Sequence, residues 1–244
     1  MRILLLGGTS DATQLAARLS AAGRDAIFSY AGRVSTPTPQ PLPTRIGGFG
    51  GIEGLEVYLR CERITHVVDA THSFAANMSR NAVAACTRAG VKLVALERSA
   101  WVAQPGDDWR PVADITEAIA ALPERGARIF LATGRQNVAD FARKPENFYL
   151  LRYIEPPKII PLPDYVGLAG RGPFTVEGDT AVMRAHRITH LVAKNAGGDA
   201  ARAKLEAARA LSIPVIMIER PAVPERLRLE TPEAVMDWLA HEAS

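Results

Sequence analysis

The sequence predicts an α/β protein made of two Rossmann-like parallel-sheet domains related by internal duplication, with a cleft between them. Three observations carry that expectation. The chain opens on an apolar run that passes through a glycine turn into an amphipathic helical pattern. Short apolar strands then alternate with helical segments, the order that builds a parallel sheet. Two blocks of the first half also return in the second half, in the same order. At 244 residues the chain exceeds the usual domain of about 100 to 150 residues, so two domains are the default.

Ile3 to Leu6 has the composition of a strand covered on both faces and runs straight into Gly7-Gly8. Thr9, Ser10 and Asp11 can each cap a helix whose apolar positions Ala12, Leu15, Ala16 and Leu19 recur at helical spacing. Such a turn is where α/β folds hold phosphate, because unpaired backbone N–H groups and the helix dipole both favour an anion. Gly7 and Ala12 match the ends of the dinucleotide fingerprint, Thr9 replaces its second glycine, and Asp11 adds a negative charge. On these residues the turn reads equally as a phosphate cradle and as a structural turn.

Gly23 ends the first helix and Ala26 to Tyr30 form the second strand, closing on Gly32, Arg33 and Ser35. No acid stands where an NAD ribose would be met; Arg33 with Ser35 suits the 2′-phosphate of NADP, or is simply an exposed turn. The proline-rich stretch 36–43 reads as a loop, because proline fixes φ and removes a donor. A short strand near Arg45-Ile46 leads into GGFGG at 47–51 and a helix through Leu55, Tyr58 and Leu59. Ile64 to Ala70 is the fourth strand, ending at Thr71 and His72, followed by a helix to about Arg88 and a fifth strand, Lys92 to Leu96. In the strand order 3-2-1-4-5 the first and fourth strands are neighbours, so Gly7 to Thr9 and Thr71-His72 frame the ligand crevice. His72 is there either a working side chain or a solvated loop histidine.

Arg63-Ile64-Thr65-His66 returns as Arg187-Ile188-Thr189-His190, and the block Leu93 to Ala100, with Glu97-Arg98, returns as Val215 to Ala222, with Glu219-Arg220, at an offset of about 120 residues. Arg128 to Ala132 followed by Thr133-Gly134-Arg135 repeats the opening strand and turn. Two halves are therefore expected, 1–124 and 125–244. The second crevice is framed by Thr133 to Arg135 and by Lys194, Asn195, Gly197 and Gly198. Glu155 to Thr175 reads as a long loop capping the cleft. The final strands near Val112 and Leu227 to Leu229 could each join either sheet.

Net charge is +3, and all but five of the 29 basic residues are arginine, from codon bias or from a choice of carboxylate and phosphate receptors. No basic stripe with interleaved aromatics points to nucleic acid. Cys61 and Cys86 have neither redox nor metal-ligand spacing, and no apolar run nears the ~20 residues of a membrane span. A reduced cytoplasmic protein without a metal is expected, with a monomer as the default.

GGTSDA at 7–12, GRVS at 32–35, GGFGG at 47–51, DATHSFA at 69–75, TGR at 133–135, RGPF at 171–174 and KNAGG at 194–198 together resemble the precorrin-6A reductase family of cobalamin biosynthesis. Ser73 and Ala196 stand where that family commonly has proline and serine. The resemblance implies NADPH-dependent reduction of one double bond of a tetrapyrrole macrocycle, precorrin-6A to precorrin-6B. Under it, Gly7, Gly8, Thr9 and Ser10 meet the pyrophosphate, Gly32, Arg33 and Ser35 the 2′-phosphate, and Thr71 borders the cofactor. Some of Arg135, Arg171, Lys194, Asn195, Gly197 and Gly198 meet the macrocycle's carboxylates, and His72, Lys194 or water supplies a proton. Two facing Rossmann-like halves also describe a nucleotide-sugar transferase or epimerase, or a non-enzymatic nucleotide sensor; a cofactor-protection panel separates the three.

Overall fold

The computed structural model describes residues 1–32, 37–156, 159–170 and 172–242. In chain order the first elements are β1 (Ile3–Leu6), α1 (Ser10–Ala21), β2 (Ala26–Tyr30), β3 (Thr44–Ile46), α2 (Gly51–Cys61), β4 (His66–Asp69), α3 (Ala76–Ala89) and β5 (Lys92–Leu96). Next come β6 (Trp109–Val112), α4 (Ile115–Ala121), β7 (Arg125–Ala132), a 3-10 segment Arg135–Arg143, β8 (Glu146–Tyr153), β9 (Tyr165–Ala169) and α5 (Val176–Ala185). The chain finishes with β10 (His190–Lys194), a short 3-10 turn Asp199–Ala201, α6 (Ala203–Ala210), β11 (Val215–Ile218), β12 (Leu227–Leu229) and α7 (Pro232–His241).

These strands form two six-stranded parallel sheets, β12-β5-β4-β1-β2-β3 and β6-β11-β10-β7-β8-β9. Each has the doubly wound order 3-2-1-4-5-6. The sixth strand of each is donated by the other half of the sequence. β6 follows β5 in the chain yet pairs with β11, and β12 follows β11 yet pairs with β5.

The compact units are accordingly 1–99 with 222–244, and 100–221. The expected division into 1–124 and 125–244 is therefore corrected, since it separates β6 and α4 from the sheet they complete. WRPV and LRL are too short and polar to show in sequence which edge they satisfy.

β1 is buried on both faces, as its composition requires. Ile3 and Leu5 pack with Leu15, Leu19, Val235 and Leu239, while Leu4 and Leu6 pack with Leu55, Leu59, Ala82 and Ala85. Each such leucine, isoleucine or valine burial contributes on the order of 1.5 to 3 kcal/mol. In the second unit Phe130, Leu191, Val215 and Met217 form the matching core with Met183, Leu205 and Ala208.

The repeat extends to hydrogen bonds. Thr65 Oγ1 accepts from Arg2 N (3.0 Å), donates to the Arg2 carbonyl (3.1 Å) and lies 2.8 Å from His66 Nδ1. Thr189 Oγ1 does the same with Arg128 and His190, at 3.0, 3.2 and 2.9 Å. Arg63 and Arg187 each turn into this corner with positive φ, 52° and 49°.

The stretch expected as a continuous loop, Glu155 to Thr175, contains β9, an edge strand beside β8. Its residues alternate between exposed and half-buried, so no apolar run announced it.

Candidate functional site

In the first unit the carboxyl ends of β1 and β4 lie side by side, Leu6 registering with Asp69. Gly7 must be glycine because a Cβ there would stand 2.0 Å from Phe28 Cζ. Gly8 turns the chain at φ +131° with open space before it. Thr9 caps α1: its Oγ1 accepts from Ala12 N at 3.1 Å and donates to the Ala70 carbonyl at 2.9 Å. One hydroxyl thus closes the helix start and ties it to the end of β4. Asp11, whose charge opposes an anion here, is ion-paired with Arg98, which also donates to Ser10 Oγ at 3.1 Å. The helix start is therefore locally neutralised.

Asp69, 2% exposed, holds the facing turn. It accepts from Thr71 Oγ1 (2.6 Å), Thr71 N (3.2 Å) and Ser79 Oγ (2.6 Å), and lies 4.0 Å from Arg226, which pairs with Glu97 at 2.8 Å. His72 is exposed at the tip of that turn. Its Nδ1 accepts from Phe74 N at 3.2 Å, so the neutral ring carries its proton on Nε2. Beyond β2, Gly32 lies beside Gly47. Arg45 binds Ser29 Oγ (2.8 Å) and the carbonyls of Gly47 (2.9 Å) and Gly48 (3.1 Å), stacked 3.8 Å over Phe49.

In the second unit the turn after β7 leads into a 3-10 segment rather than an α-helix. Arg135 pairs with Glu155 at 3.0 Å. Lys194 Nζ donates to Asn137 Oδ1 at 3.2 Å, joining the end of β10 to that segment. Asn195 is 3% exposed and its amide is engaged: Oδ1 accepts from Trp101 N (2.8 Å), and Nδ2 donates to Trp101 O (3.1 Å) and Glu219 Oε2 (3.4 Å). The Gly198 carbonyl accepts from Trp101 Nε1 at 2.9 Å, and Arg220 donates to the carbonyls of Asn195 and Ala196 at 2.9 and 3.0 Å. Lys194, Asn195, Gly197 and Gly198 thus form one braced turn.

The family model described as precorrin-6x reductase CbiJ/CobK matches residues 2–240. The chain belongs to that family. Similar to it are the precorrin-6A reductase of Rhodobacter capsulatus, 57% identical over 98% of this chain and 96% of that protein, and that of Rhodococcus erythropolis, 49% identical over 91% and 90%. The cobalt-precorrin-6A reductase of Priestia megaterium is 28% identical over 98% of each. A solved CobK precorrin-6A reductase structure superposes with a TM-score of 0.94 at 56% identity, covering 100% of this chain and 98% of that one.

Within this CbiJ/CobK-family chain, the residues expected at the first crevice, Gly7, Gly8, Thr9, Ser10 and Thr71, come together on two adjacent strand ends. Arg33, Ser35 and Arg171 lie outside the described residues. Arg98 and Arg220 were absent from the expected sites, although the repeated Glu-Arg pairs 97–98 and 219–220 mark both. Arg98 steadies the helix start in one unit and Arg220 the turn in the other. Trp101 and Arg226 carried no sequence signal, because their partners lie about 100 residues or more away.

Proposed function

We propose that the chain is a precorrin-6A reductase of cobalamin biosynthesis, an oxidoreductase that uses NADPH to convert precorrin-6A to precorrin-6B. The observation that carries this reading is the whole-chain likeness, at high identity, to enzymes bearing the reductase name. Relatives named for a cobalt-bearing substrate are less similar, which supports the metal-free macrocycle as substrate.

The first unit fits the cofactor's phosphates. Gly8 is open, α1 presents an α-helical N-terminus, and Arg98 already offsets Asp11. The 3-10 segment after β7 aligns its peptide groups less well, which favours the first unit over the second. Gly7, Gly8, Thr9 and Ser10 would hold the pyrophosphate, with Gly32, Arg33 and Ser35 at the 2′-phosphate and Thr71 bordering the site. The cofactor supplies the hydride; this chain's residues bind and orient.

In the second unit Arg135, Arg171 and Lys194 would meet the macrocycle's carboxylates. Because the Asn195 amide is spent on Trp101 and Glu219, Asn195, Gly197 and Gly198 contribute the shape of the turn. Hydride arrival at one ring carbon requires a proton at its neighbour, and His72 in its imidazolium form or Lys194 through its ammonium is the donor we assign. The substrate partner is a small molecule, with a cytoplasmic setting; no helix among the described residues is long and apolar enough to cross a membrane.

The test is anaerobic turnover of precorrin-6A with NADPH, together with Arg33→Ala. A guanidinium–phosphate contact near 4 Å is worth up to about 4 kcal/mol at an effective dielectric of 20, less when screened. The variant is expected to lose about 1.4 to 3 kcal/mol of NADPH affinity, tenfold or more, with NADH affinity unchanged. Equal losses for both cofactors refute the Arg33 assignment, and a chain that ignores reduced pyridine nucleotides refutes the reading as a whole.

A further inference from the structure

A cavity of about 130 Å3 opens at the carboxyl edge of the second sheet, lined by Ala132, Arg152, Phe174, Asp179, Ala201 and Lys204. Leu131 registers with Leu151, so Ala132 and Arg152 leave the sheet side by side. Asp179 stands in the first turn of α5 and Lys204 at the start of α6. The volume is close to that of a cavity able to hold benzene, about six non-hydrogen atoms. None of its polar groups has a part in the function proposed above.

The wall is mostly apolar and its charges are arranged in a particular way. Arg152 donates to Asp179 Oδ1 at 2.5 Å, and its guanidinium carbon lies 4.1 Å from the centre of the Phe174 ring. That leaves Asp179 Oδ2, in a residue 2% exposed, buried with no hydrogen-bond partner among the described residues. Lys204 Nζ spends one N–H on the Ala201 carbonyl, with the Trp101 ring 4.9 Å away on the ammonium. An unfilled carboxylate oxygen and a buried ammonium with N–H groups to spare therefore share one small chamber. An orphaned buried acceptor destabilises the fold until something donates to it.

We propose that this cavity binds an amide-type head group on a short apolar stem, its carbonyl accepting from Lys204 and its N–H donating to Asp179 Oδ2. A carboxylate would set its charge against the bare Asp179 oxygen, and an ammonium would face Lys204 and Arg152. A neutral group that pairs acceptor with donor satisfies both walls, and its stem covers Ala132, Ala201 and Phe174. The inference stands on the cavity alone and is independent of the reductase reading.

The test is titration of the full-length chain with propionamide, 2-butanone and propionate, followed by ligand-observed NMR. Propionamide is expected to bind in the millimolar range that so small a ligand reaches. 2-Butanone, which lacks the donor, should bind about tenfold more weakly or worse, and Lys204→Met should weaken propionamide by a similar factor. Asp179→Asn turns the acceptor wall into a donor, so propionate should overtake propionamide; if that variant does not fold, Lys204→Met decides. Equal binding of propionamide and 2-butanone, tighter binding of propionate to the unsubstituted chain, indifference to Lys204→Met, or no binding up to about 100 mM each overturns the proposal.

Discussion

Replacing Lys204 with methionine is expected to make the chain more stable. Lys204 is 9% exposed, and burial lowers its pKa from 10.5 to about 8, with Asp179 opposing the shift and Arg152 adding to it. A displacement of that size corresponds to roughly 3 kcal/mol spent on keeping the ammonium charged inside the fold at neutral pH. Methionine keeps the length and the apolar stem of the side chain. It loses the bond to the Ala201 carbonyl and the contact with the Trp101 ring, together about 1 to 2 kcal/mol. The net expectation is a gain of about 1 to 2 kcal/mol near neutral pH.

The pH dependence makes this reasoning sharper. Unfolded Lys204 keeps its proton up to about pH 10.5, whereas folded Lys204 releases it above about pH 8. Between those values unfolding takes up a proton, so the stability of the unsubstituted chain rises with pH and the advantage of methionine shrinks. Guanidinium unfolding of both proteins, at about pH 7, 9 and 10.5, isolates this group, because the other titrations cancel in the difference. A variant less stable than the unsubstituted chain at neutral pH, or a difference that stays flat across the alkaline range, refutes the account.

Two further expectations concern the first unit and the repeat. Asp69→Asn leaves the donors of Thr71 and Ser79 and the nearby Arg226 facing an amide; it should cost about 2 to 4 kcal/mol in chemical denaturation, and a loss under about 0.5 kcal/mol would count against the Asp69 network. Burial lowers the pKa of both His66, where Lys92 and the N-terminus add to the effect, and His190. Their contribution is present above the unfolded value of 6.5 and is lost as pH falls through it, because the unfolded chain binds protons that the folded chain refuses. A His66→Gln, His190→Gln chain should show a shallower fall in stability between about pH 6.5 and 5; an unchanged slope would sink this assignment.

Local structure was readable wherever a short segment dictates its own geometry. β1, β2 and β5 span the ranges expected of them, Ile3–Leu6, Ala26–Tyr30 and Lys92–Leu96, and Ala12, Leu15, Ala16 and Leu19 are the buried face of α1. Thr9 was one of three capping candidates, and its choice over Ser10 and Asp11 follows from where the helix begins. β9 escaped notice because an edge strand half open to solvent needs no apolar run.

The candidate site divides along the same line. Gly7, Gly8 and Thr9 declare themselves because a strand that must turn abruptly into a helix has few residues to do it with. The pairing of Asp11 with Arg98, and of Asp69 with Arg226, joins residues far apart in the chain, and nothing local to either member names the other.

By itself the amino-acid order determined the alternation of strand and helix, the duplicated corners at Thr65 and Thr189, and the glycine turn ahead of α1, all properties of contiguous residues and their spacing. Tertiary structure alone decided that β6 and β12 trade sheets and that Lys204, Arg152 and Asp179 meet around one cavity. Those outcomes depend on which open sheet edge and which buried charge each segment finds, a competition among distant parts of the chain that no local pattern records.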